Sequence, residues 1–92
     1  YAAELMTLHA AELYDAGQPC GAQANAAKYL AADAGFHACD RAIRTHGGMG
    51  YAAEFHVERY FREMIACQLA PVSREMILNF ISERELGLPK SY

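Results

Sequence analysis

Gly47, Gly48 and Gly50 put three glycines in four positions, between Arg44-Thr45-His46 and the charged amphipathic run Glu54-Phe55-His56-Val57-Glu58-Arg59, with Arg62-Glu63 following. A turn so poor in Cβ atoms either reaches positive φ or lets a ligand touch the main chain. Exposed amides in such a loop suit a phosphate or an electron-rich ring, although a plain chain reversal uses the same residues. His46 abuts the turn and is equally suited to donating to a ligand or to closing a helix end.

A second place with chemical potential is the segment Ser73-Arg74-Glu75. A last helix whose first turn holds Pro71 would offer free N–H groups near them to an anion or a ring. Ser73 and Glu75 are also the residue types that satisfy those groups from within the chain. Elsewhere the chemistry thins out. His9, His37, His46 and His56 form no i, i+4 pair and have no acidic ligand set, so no metal site is indicated. Cys20, Cys39 and Cys67 are odd in number and widely spaced, which signals buried free thiols and neither a disulfide framework nor a zinc site. Glu54, Glu58, Arg59, Arg62 and Glu63 read as a solvated helix face with weak ion pairs.

These residues must be carried by helices. The 92 residues suffice for one small domain, 53% apolar and 21% charged, rich in alanine and without tryptophan. A net charge of -3 gives no basic footprint for nucleic acid. No apolar run reaches the roughly 18 to 20 residues of a membrane span, and no signal peptide is apparent. A soluble intracellular protein is the expectation. The chain begins at Tyr1 inside a helical pattern with no capping residue before it, as a piece of something larger would.

The periodicity predicts a first helix from residue 2 to about 16, with Ala2, Leu5, Met6, Leu8 and Leu13 on its apolar arc and Gly17-Gln18-Pro19 ending it. A long helix from Gly21 to about His46 carries Ala22, Tyr29, Phe36 and Ile43 every seven residues, flanked by Ala32 and Cys39. After the glycine turn, Val57, Tyr60, Phe61, Met64 and Ile65 make the next buried stripe. Pro71 suits the first turn of a last helix, whose stripe is Val72, Met76, Ile77, Phe80 and Ile81 and whose end is Gly87-Leu88-Pro89. Four helices with short connections predict an all-α, up-down bundle forming a single domain over residues 1–92.

The glycine run and the charged stretch after it resemble the C-terminal domain of the acyl-CoA dehydrogenases. That family pattern reads Gly-Gly-x-Gly-[Phe/Tyr]-x-x-Glu-[Phe/Tyr]-x-Val-Glu-[Arg/Lys], then an Arg-Asp pair. Gly47, Gly48, Gly50, Tyr51, Glu54, Phe55, Val57, Glu58, Arg59 and Arg62 fit it without a gap, ten matches over sixteen positions. The similarity extends more loosely along the whole chain. The resemblance implies the later part of the C-terminal domain of a longer flavoenzyme that desaturates acyl-CoA thioesters between the α and β carbons.

It also implies site residues. The segment matching Arg44, Thr45, His46, Gly47 and Gly48 contacts the FAD of a neighbouring subunit in the family. Arg44 stands where glutamine is usual, which loses an amide acceptor and adds charge attraction for a pyrophosphate. Ser73 aligns with the family's threonine and Glu75 with its Gln/Glu, so Ser73, Arg74 and Glu75 are implied flavin-side residues. Many members carry the proton-abstracting glutamate nine residues after the arginine of the Arg-Asp pair. Here that count from Arg62 reaches Pro71, between Ala70 and Val72, none of which accepts a proton. Relatives resembling isovaleryl-CoA and long-chain dehydrogenases carry the base upstream of the region matched here. A divergent relative whose bundle is a catalytically silent oligomerisation module is the alternative. The resemblance further implies an acyl-CoA substrate, reoxidation by electron-transferring flavoprotein, a homo-oligomer that is a tetramer in most members, and a bacterial cytoplasmic or mitochondrial matrix setting.

Overall fold

The computed structural model describes residues 1–91 and has no strand among them. The elements are α1 (Ala2–Asp15), α2 (Gly21–His46), the single turn α3 (Gly48–Tyr51), a 3-10 turn (Ala53–Phe55), α4 (Val57–Leu69) and α5 (Arg74–Glu85). The all-α class expected from composition and period is the one observed.

Each helix boundary has a local cause. α1 stops where the Gly17 amide donates to the Tyr14 carbonyl (3.0 Å) and the Gln18 amide to the Leu13 carbonyl (2.8 Å), the paired bonds of a Schellman cap. α2 ends at Gly47, whose φ of 60° and ψ of -136° lie in a region open essentially to glycine alone. The chain does not re-enter a long helix at once. It makes α3 and the 3-10 turn first, and His56, at φ 58°, is the left-handed residue from which α4 departs. α5 begins later than Pro71: Ser73 is its N-cap, and Pro71 belongs to the connection after an Ala70–Pro71 cis peptide bond.

α1, α4 and α5 all rest on α2, and the last two rest on it rather than on each other. α4 runs antiparallel to the C-terminal half of α2, with the Phe61 ring 5.2 Å from that of Phe36. α5 continues in the same direction along the N-terminal half, from Arg74 beside Asp33 to Phe80 beside Gly21.

The faces that meet differ in part from those the period suggests. In α1 the residues turned inward are Ala3, Met6, Ala10 and Leu13, while Ala2, Leu5 and Leu8 are exposed. The helix has apolar residues on two faces, and α2 covers one. The heptad residues Ala22, Tyr29, Phe36 and Ile43 are half-buried, and it is Ala27 and Ala32 that α2 buries fully. Tyr60 points outward from α4. Because α5 starts at Arg74, its inward stripe is Ile77, Phe80 and Ile81, and Val72 and Met76 are left exposed. The cysteines are free, but Cys67 is exposed and Cys20 and Cys39 only half-buried.

The result is an open structure. Its radius of gyration is 16.1 Å, against about 12 Å for a compact chain of this length. The accessible surface is 6657 Å², whereas a folded monomer of this mass exposes about 5,300 Å². Ile77, at 1% exposure, is the largest side chain buried outright.

A close main-chain approach sits just past the glycine turn. A Cβ on Gly50 would lie 2.5 Å from the Ile43 carbonyl oxygen and 2.8 Å from its Cα, and backbone atoms cannot swing aside. Gly48, two residues earlier, has nothing within 4 Å of that position. Gly50→Ala should therefore cost about 2–3 kcal/mol of stability in the intact protein. Gly48→Ala should leave stability unchanged; denaturant unfolding of the two variants side by side checks the contrast.

Candidate functional site

The segments singled out in the sequence lie at separate levels of α2, its C-terminal tip and its middle. Arg44, Thr45, His46, Gly47 and Gly48 are all exposed at the C-terminal tip of α2. Two of their side chains fold back on the main chain of their own helix: the Thr45 hydroxyl donates to the Arg41 carbonyl (2.8 Å), and His46 Nδ1 lies 2.8 Å from the Ala42 carbonyl oxygen. A carbonyl only accepts, so that bond puts a proton on Nδ1 and leaves Nε2 facing out.

Arg44 meets Asp40 through Nε, at 3.1 and 2.9 Å from the two carboxylate oxygens. The hydrogen bond to Asp40, and then its charge, hold the guanidinium's pKa above the ordinary arginine value. Its side chain remains 76% exposed, so the cation is presented to solvent at the helix tip. Beneath the tip, between Ile43, Gly50, Phe61 and Ile65, lies an open hollow of about 380 Å³ with the Glu58–Arg62 pair (3.2 Å) at its edge.

The second segment opens α5. The Ser73 hydroxyl accepts from the Met76 amide at 3.4 Å, a long capping bond, and the Ser73 carbonyl receives the Ile77 amide at 3.1 Å. The helix-capping reading of Ser73 is thus observed. Glu75 is exposed beside it. Arg74 turns toward α2: its guanidinium donates to Asp33 (2.9 Å) and to the Tyr29 hydroxyl (2.7 Å) and stacks 4.8 Å over the Tyr29 ring. Pro71 and its neighbours Ala70 and Val72 are exposed and bring no carboxylate to the connection.

The two segments do not come together within one chain. α5 starts at the level of Tyr29 and Asp33 on α2, and Thr45 and His46 lie roughly a dozen or more residues further along the same helix. At 1.5 Å per residue the separation is roughly 20 Å, too far for any single ring or phosphate to touch both. Lys28, which no sequence pattern marked, donates from the same face of α2 to the Cys67 and Val72 carbonyls, at 2.9 Å each. Its position on the arc of the buried Ala27 and Ala32 was the available signal, since a lysine there must find acceptors. Among the described residues no cluster of histidine, cysteine and acidic side chains could hold a metal, and no helix is long and apolar enough to cross a membrane.

Comparison with known proteins gives this geometry a context. The family model described as "Acyl-CoA dehydrogenase, C-terminal domain" matches residues 1–86. An acyl-CoA dehydrogenase of Mycobacterium tuberculosis is 47% identical over 92 residues, covering 98% of this chain and 24% of the relative. An acyl-CoA dehydrogenase of Bacillus subtilis is 36% identical over 86 residues, 94% of this chain and 23% of the relative. The short/branched chain specific acyl-CoA dehydrogenase of Rattus norvegicus mitochondria is 39% identical over 62 residues, 67% of this chain and 14% of the relative. The chain thus spans about a quarter, or less, of the length of these relatives. The match along nearly the whole chain, on a helical fold that carries the glycine turn at the tip of its longest helix, makes this chain a member of the acyl-CoA dehydrogenase family, corresponding to its C-terminal domain.

Proposed function

We propose that these residues form the later part of the C-terminal domain of an FAD-dependent acyl-CoA dehydrogenase, catalysing α,β-desaturation of an acyl-CoA thioester. Their contribution is flavin contacts and subunit interface. The observation that carries this reading is Gly48. It is not at positive φ, and beyond its own chain neighbours and helix turn nothing lies within 4 Å of where its Cβ would be. Gly48 opens the single turn α3, where neither φ nor lack of room calls for glycine, so the fold supplies no reason for it there. Close approach of another molecule does.

The residues present fit a flavin nucleotide. Arg44 offers an exposed charge to a pyrophosphate, His46 Nε2 faces outward, and Gly48 admits a group to the main chain. Ser73 and Glu75 stand at the N-terminal end of α5, where helix amides favour an electron-rich or anionic group. Arg74 takes part through its main chain, its guanidinium being committed to Asp33 and Tyr29. Bound FAD supplies the redox chemistry, taking a hydride from the β carbon. The roughly 20 Å between the two segments favours an arrangement in which each serves a different flavin, the glycine turn reaching one held by a neighbouring subunit. The uncovered apolar surface is in keeping with such an assembly, for which a tetramer is the family's arrangement. Electron-transferring flavoprotein is the proposed oxidant, and a bacterial cytoplasm or mitochondrial matrix the proposed setting.

The α-proton needs a base that Ala70, Pro71 and Val72 do not provide, and neither Glu63 nor Glu75 is assigned the role. We place the base in the larger part of the protein, outside this chain. The absence of a carboxylate at the α4–α5 connection also favours a second reading, a divergent relative in which the bundle is a silent oligomerisation module.

The visible spectrum of the purified full-length protein distinguishes the two. A flavin band that bleaches on anaerobic addition of one member of a panel of acyl-CoA thioesters is the expected result, and absence of flavin would leave the silent module. In the same protein Gly48→Ala should weaken FAD retention about tenfold or more while the unfolding midpoint of the apoprotein stays within experimental error of the parent. Unchanged flavin content and affinity in this variant would remove the glycine turn from the site.

A further inference from the structure

The side-chain hydrogen bonds of Thr7, Asn25, Thr45, Arg62 and Ser82 stay within one turn of their own helices. Four that cross between elements tie α2 to the end of α4, the connection after it and the start of α5. Lys28 Nζ donates to the Cys67 and Val72 carbonyls, both at 2.9 Å, and Arg74 donates to Asp33 at 2.9 Å and to the Tyr29 hydroxyl at 2.7 Å.

The Lys28 bonds answer a need created by the sequence. In a continuing helix the Cys67 carbonyl would accept from the amide of residue 71, but residue 71 is proline and has no N–H. The ammonium of Lys28 takes that place. Its second bond holds the carbonyl of Val72, the residue before the Ser73 cap. One cation therefore joins the end of α4 to the start of α5, two helices that otherwise rest on α2 rather than on each other. Bonds from a charged donor to carbonyls are stronger than neutral ones. On the far side of the connection, the Asp33–Arg74–Tyr29 contacts fix the first residue of α5 to the same stretch of α2.

We infer that Lys28 is a positioning residue for the cofactor: by bridging the Cys67 and Val72 carbonyls it sets where α5 begins, and so where Ser73 and Glu75 are presented. This rests on the proposed flavin role of those two residues. The bridge itself stands on its geometry alone, and the test separates the two.

The test uses the full-length protein with Lys28→Met, which keeps the aliphatic stem and removes the charge, and Lys28→Arg, which restores a cationic donor. Hydrogen exchange at the amides of residues 72–77 should quicken about tenfold in Lys28→Met, with α1 and the glycine turn unchanged, and should return most of the way in Lys28→Arg. The bound flavin's visible band should shift and its affinity fall by about the same factor in Lys28→Met, again recovering with arginine. Tyr29→Phe, which deletes only the 2.7 Å bond to Arg74, supplies a milder version in the same direction should Lys28→Met fail to fold. Unchanged exchange at residues 72–77 would overturn the bridge. Faster exchange with an unaltered flavin spectrum and affinity would overturn the positioning role. A parent protein without flavin would sink the flavin reading and the positioning role together, leaving the exchange data to judge the bridge.

Discussion

The 26-residue helix from Gly21 to His46 provides the surface on which α1, α4 and α5 bury what apolar area they bury. Its alanines set how closely they approach: Ala27 and Ala32 are the points of full burial on α2, and large side chains such as Phe36 and Ile43 fill the flanks without being enclosed. Packing around one helix gives contacts on its sides but no closed interior. That is why a chain with 53% apolar residues has an accessible surface well above that of a compact monomer of its mass. Exposed Leu5, Leu8, Leu69 and Met76 are part of the same surplus. Uncovered area of this kind is characteristic of association surfaces, and the relatives matched are about four times as long as this chain.

The same helix imposes a distance. With the glycine turn at its tip and the start of α5 near its middle, the two segments with ligand chemistry are held apart by rigid α-helix. One ring in one protomer cannot touch both. Each segment has its own fixing device. At the tip, Gly50 lets α3 lie against the Ile43 main chain, which orients Gly47 and Gly48 relative to α2. At the middle, Lys28 and the Asp33–Arg74–Tyr29 contacts hold the connection after α4. In both places a small departure from the helix ladder, a glycine or a proline, is answered by a specific contact with α2.

Much of this was legible in the sequence. The bounds of α1 and α2 and the position of the glycine turn come from caps and period, because Gly17 and Gly47 are local signals read within a few residues. The register of buried faces was less legible. α1 has apolar residues on two sides, and only the docked α2 decides that Ala3, Met6, Ala10 and Leu13 are the inner ones. Val72 and Met76 were expected inside because the last helix was begun at Pro71; with Ser73 as cap, the stripe rotates onto Ile77, Phe80 and Ile81. Of the candidate site, Arg44 to Gly48 were legible as a segment on the glycine motif, and Ser73 to Glu75 through the family resemblance. The engagement of Arg74 with Asp33, and the bridge from Lys28 to carbonyls 39 and 44 residues away, were not. Contacts of that sequence separation leave no periodic trace.

On the proposed reading, one segment at the tip of α2 and one at the start of α5 both serve flavin, each reaching a different protomer's cofactor. The most direct measurement is a cryo-electron microscopy or crystal structure of the full-length protein purified with FAD. Each flavin nucleotide should lie against Arg44 to Gly48 of one protomer and Ser73 to Glu75 of another. A flavin whose surroundings include neither segment would contradict the proposal.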